Sequence, residues 1–104
     1  MTLRTLAHAR SGDKGSTVNV SLIAFHEHDY PLLVRLVTAA RVRTHFADIL
    51  TGDVIRYELP TIAALNFVLK GVRGGGVTRT LSLDPHGKAL SSSLLDMELP
   101  DEDS

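Results

Sequence analysis

In residues 18–25, VNVSLIAF, the apolar Val18, Val20 and Leu22 alternate with Asn19, Ser21 and Ile23. A period of two predicts a strand with one face buried. VIRYEL (54–59) alternates in the same way and is rich in β-branched and aromatic side chains, so it predicts another strand. LRTLAHA (3–9) mixes apolar and polar positions with no helix cap and reads as a strand. Near the other end, VTRTLSLD (77–84) and ALSSSLLDMEL (89–99) read as two strands joined by the turn PHGK.

Two stretches change period. Leu32, Leu36, Ala39, Val42, Phe46, Ile49 and Leu50 step by three and four, which predicts a helix over 32–50. Asp29 is placed to cap it with Pro31 in the first turn, and Thr38 marks a break near 37–39 where a second segment is capped. Gly52 is a candidate left-handed cap after it. Pro60 and Thr61 then open a second predicted helix over 61–72, with Ile62, Leu65, Leu69 and Val72 as its buried seam.

The order β-β-α-β-α-β-β predicts an α+β sandwich of ferredoxin-like character. Its two helices pack on one face of a mainly antiparallel sheet, because two helices cannot cover both faces of five strands. The chain has 104 residues, which is one domain over 1–99 followed by an acidic tail, 100–104. Val18, Val20, Leu81, Leu83, Leu94 and Leu95 are many apolar residues for one core of this size. A homodimer covering the open sheet face is therefore expected.

Composition narrows the function. Eleven basic residues against twelve acidic give no field that draws nucleic acid or an anionic membrane. The aromatics are Phe25, Tyr30, Phe46, Tyr57 and Phe67, too few on strands for an RNA-stacking sheet. The absence of cysteine removes disulfides and thiolate metal sites. No secretory leader or membrane span is visible, so a cytoplasmic location is expected.

The chemistry concentrates in ARSGDKGSTVN (9–19). Gly12 and Gly15 permit backbone N–H groups to turn inward as an anion-binding nest, Arg10 and Lys14 add positive charge, and Ser11, Ser16 and Thr17 add hydroxyls. Asp13 opposes an anion there unless it neutralises Lys14 or orients it. Lys14 precedes Gly15 and the four-residue spacer is missing, so this is not a P-loop. The bland alternative is a tight connection with solvated charges. A second glycine run, GVRGGG (71–76), brings Arg73, Gly74, Gly75 and Gly76. It is either a close-approach corner sharing the first loop's end of the sheet or a plain hinge. Asn19 and Asn66 are placed to hold such a loop or a ligand, or simply to face water.

The two glycine-bearing blocks, ARSGDKGSTVNV and RYELPTIAALNFVLKGVRGGGVTRTLSLDPHGKAL, with the closing LLDMEL, resemble the ferredoxin-like C-terminal domain of the acyclic terpene utilisation protein AtuA family. The resemblance spans about 3–99. It implies a unit that many members carry behind a larger N-terminal domain, in a route running through acyl-CoA thioesters and a biotin-dependent carboxylase. It carries over no catalytic residue.

His26 and His28, two apart, would share a side if extended, but further ligands are not evident and no metal or cofactor is expected. Two functions stay open. One is a small auxiliary or assembly subunit that binds an anionic group (a carboxylate, a phosphate or a CoA-linked metabolite) and docks a second copy or a larger AtuA-like subunit. The other is a small enzyme on a carboxylated or acyl-CoA substrate, with Lys14 or His8 moving the proton and Asp13 tuning it.

Overall fold

The computed structural model describes residues 1–14, 17–72 and 88–100. Strand β1 (Ala7–Lys14) and strand β2 (Thr17–Ala24) pair antiparallel from Ala7 opposite Ala24 to Lys14 opposite Thr17. Two short helices follow, α1 (Tyr30–Leu36) and α2 (Ala39–His45). Strands β3 (Val54–Leu59) and β4 (Ala64–Leu69) make a second antiparallel hairpin, and α3 spans Lys88–Leu95.

The sheet order is β1-β2-β4-β3. β2 and β3 both run antiparallel to β4, so they are parallel to each other with β4 between them. The α1–α2 segment is the crossover of this split β-α-β unit. β1 and β4 flank β2 in the same way, and α3 packs on β1. The second unit closes through space rather than along the chain. After α3 the backbone returns to the first residues: the Leu3 amide donates to Met97 O at 2.9 Å and the Leu99 amide to Met1 O at 2.7 Å. The Thr2 hydroxyl donates to Glu98 at 2.6 Å, a bond that holds this exposed carboxyl below the usual glutamate range.

The three α-helices of the described residues cover one face. Val18, Val20 and Leu22 of β2 and Leu65, Phe67 and Leu69 of β4 are fully buried there. One cluster joins them to Leu33, Leu36 and Val42 of the α1–α2 segment and to Leu90 and Leu94 of α3. The break between α1 and α2 falls where Thr38 stands, and its hydroxyl accepts the Arg41 amide at 3.1 Å. Among the described residues, no helix is long and apolar enough to cross a membrane.

Several expectations are corrected. Residues 3–9 divide into a 3-10 turn, Leu3–Thr5, and the start of β1. The expected loop 10–17 is mostly ladder, because pairing with β2 carries β1 through to Lys14. Gly12 is therefore extended; among the described residues only Ala63 and Gly71 have positive φ. Gly52 is not a left-handed cap either. A Cβ there would stand 2.8 Å from Lys70 O, so what the position requires is close backbone approach.

The expected helix 61–72 is strand β4 behind a 3-10 turn, Pro60–Ile62. β4 is a central strand, and a central strand's near-continuous apolar run imitates a helical seam. The expected strand 89–99 begins as α3, where Leu90, Leu94 and Met97 form a buried stripe at spacings of four and three. Residues 77–84, together with 85–87 of the expected turn and 101–104 of the tail, lie outside the described residues. The apolar excess also needs revision. Val18, Val20, Leu94 and Leu95 all belong to the core, while Leu81 and Leu83 lie outside the described residues.

Candidate functional site

Residues directly opposite across antiparallel strands share a face, so the register maps the side of the sheet that the helices leave uncovered. Its central row is Arg10–Ser21–Asn66–Tyr57. Toward the β1–β2 turn the next row is Gly12–Asn19–Val68–Ile55, and in the other direction it is His8–Ile23–Ala64–Leu59.

Of the expected binding residues, the ladder brings four into two adjacent rows of this face, Arg10, Gly12, Asn19 and Asn66, while His8, the candidate proton carrier, stands in the third row. Asn66 sits on β4 rather than a helix, and its Nδ2 donates to Ser21 Oγ at 2.9 Å. Arg10 and Asn19 are exposed and have no side-chain hydrogen bond or ion pair among the described residues. A Cβ built at Gly12 meets nothing within 4 Å among the described residues, so the position opens to free space.

The remaining candidates distribute differently. Ser11 is opposite Val20 and so belongs to the helix-covered face. Asp13 and Lys14 end β1 opposite Val18 and Thr17. Leu69 is also opposite Val18, so β4 ends at the end of the sheet where β1 and β2 meet. Gly15, Arg73, Gly74, Gly75 and Gly76 lie outside the described residues.

One end of the open face is apolar. Phe25 is 53% exposed and stacks on His8 with ring centres 5.6 Å apart. Ile62 is 60% exposed, and Leu59 and Tyr57 are exposed beside it. Of the five large hydrophobic side chains exposed among the described residues, these are four; Met1 is the fifth. Isolated exposed apolar groups are ordinary; four at or just beyond one end of the sheet are more than solvation requires.

Two polar side chains that sequence reasoning did not single out prove structural. Arg56 lies on the helix-covered side, in register with Phe67. Its Nη1 donates to Val34 O at 2.6 Å and Val37 O at 3.0 Å, and its Nη2 to Glu58 at 3.0 Å. It thereby satisfies carbonyls at the end of α1. The only signal in the sequence was its inward parity in VIRYEL. Nearby, burial and the Glu58 carboxylate push the Tyr30 phenol above its ordinary value.

His45 Nε2 stands 2.6 Å from Ser93 O, so that nitrogen carries the hydrogen and donates. Ser93 Oγ, 3.2 Å from the same nitrogen, therefore has no base there, and the pair ties α2 to α3 rather than forming a nucleophile and its activator. An open groove of about 440 Å³ runs beside it, lined by Ala40, Arg41, Thr44, His45, Met97 and Glu98.

No match was found to a curated protein or to a solved structure. The family model of the AtuA ferredoxin-like domain matches residues 1–100, nearly the whole chain. With a four-stranded antiparallel sheet, split β-α-β connection and helices on one face, the chain belongs to the AtuA ferredoxin-like domain family.

Proposed function

We propose that this domain is an auxiliary assembly and binding subunit, and that the uncovered sheet face is its working surface. The observation that carries this reading is the open face itself. It combines an exposed apolar end, Phe25, Leu59 and Ile62, with Arg10 and Asn19, which make no side-chain hydrogen bond or ion pair among the described residues. A face that had only to meet water would need neither.

Arg10 lies on β1, the end strand of the described sheet. A planar guanidinium suits the fork of a carboxylate or phosphate. An anionic guest is thus received at the β1 margin, and the broad face makes the protein contact. Family membership supports an acyl-CoA route for acyclic terpenes, with a carboxylated or CoA-linked metabolite as the guest. It also makes a larger AtuA-like subunit a possible second partner.

The test is a heteronuclear NMR titration with three probes: malonate, inorganic phosphate and coenzyme A. Shifts are expected at Arg10, Gly12 and their neighbours, with Arg10→Ala weakening the response about tenfold, the loss of one charge-assisted contact. Shifts confined to another surface, or undiminished in Arg10→Ala, would remove the anion site.

A further inference from the structure

We infer that the open face is covered by a second copy of this chain, stacked sheet on sheet about a two-fold axis parallel to the strands. The inference rests on the reading of this face as a contact surface and names its partner. The argument comes from the register.

Such an axis reverses strand order and keeps rows. β1 then lies over β3 of the second copy, and β2 over β4. Row by row the partners differ in size and chemistry. Gly12 faces Ile55 of the second copy, so the smallest residue of the row meets a branched side chain. Ser21 faces Asn66 of the second copy. Arg10 faces Tyr57 of the second copy, a cation over an aromatic ring. Beyond the last row, exposed Phe25 meets exposed Ile62 of the second copy. Each contact occurs twice, as a two-fold requires.

The other face-to-face arrangement, with the axis across the strands, sets each strand over itself. It places Arg10 opposite Arg10 and leaves Phe25 and Ile62 without partners. Like charges facing each other across an interface are disfavoured. The parallel axis instead sends the two Arg10 residues to opposite edges, and the small dihedral of aligned sheet packing suits it.

Area fits as well. Four strands at about 4.8 Å and six residues at about 3.4 Å give a face of roughly 400 Å² in projection. Side-chain relief and the Phe25 and Ile62 rim bring it toward the lower range of specific interfaces, about 600 Å² per partner. A reversible dimer in the micromolar range is expected.

The natural chain has no cysteine, so single thiols can be introduced cleanly. G12C and I55C are prepared separately and treated with a short bismaleimide, alone and mixed. Cross-linked dimer is expected only in the mixture. Sedimentation of the natural chain at about 100 μM is expected to give a dimer, and Ile62→Asp, at an exposed position that folding does not need, a monomer. A monomeric natural chain, or a cross-link in G12C alone, overturns this arrangement. The outcome is separable from the anion site: if dimerisation fails while Arg10→Ala still weakens the NMR response, only the second-copy assignment falls.

Discussion

The two faces of the sheet are made by the same strands, yet they carry different duties. On one, Val20, Leu22, Leu65 and Phe67 interlock with three helices and are wholly hidden. On the other, their immediate neighbours Asn19, Ser21, Asn66 and Val68 are half-buried or exposed. A single-residue slip of register would exchange the two sets, so the alternation that folds the domain also decides which side chains the open face presents. Packing and surface chemistry are thus assigned to alternate positions of one backbone.

Three substitutions sharpen that contrast. The largest effect is expected from Phe67→Ala, which empties the centre of the covered face. It should cost about 3–5 kcal/mol in urea unfolding, against about 1 kcal/mol for Val68→Ala one position on. Equal losses at the two positions would show that the open face is already packed within the monomer. Arg56→Met comes next. It keeps the aliphatic stem but strands two α1 carbonyls, for an expected loss of about 2 kcal/mol, with α1 amides exchanging first. The smallest is Ala63→Gly at the turn into β4. Ala63 holds φ 53°, a conformation that costs a non-glycine residue about 1 kcal/mol. Relief of that strain opposes the loss of a buried methyl, so the midpoint should move by no more than about 0.5 kcal/mol equivalent.

The class of fold was legible because β2 and β3 announce themselves by alternation and the α1–α2 segment by its three-and-four spacing. Thr38 even marked the break, since a short hydroxyl side chain caps better than it continues a helix. β4 was not legible. It is covered on both sides by neighbouring strands, and ALNFVL lacks the polar interruptions that reveal a period of two. α3 was hidden by its serine run, whose weak helical preference is overridden by the packing of Leu90 and Leu94. The site was legible in composition but not in placement. Arg10, Gly12, Asn19 and Asn66 could be named from the sequence, yet they share a surface only because the β1–β2 and β2–β4 ladders align them. Arg56 and His45 escaped notice because their partners are backbone carbonyls far along the chain.

The open space above Gly12 has a wider consequence. Among the described residues nothing presses on that spot, so a larger residue there should leave the unfolding equilibrium nearly untouched while reshaping the sheet surface. The outline of that surface would then be free to change one codon at a time, with no compensating mutation needed to keep the chain folded.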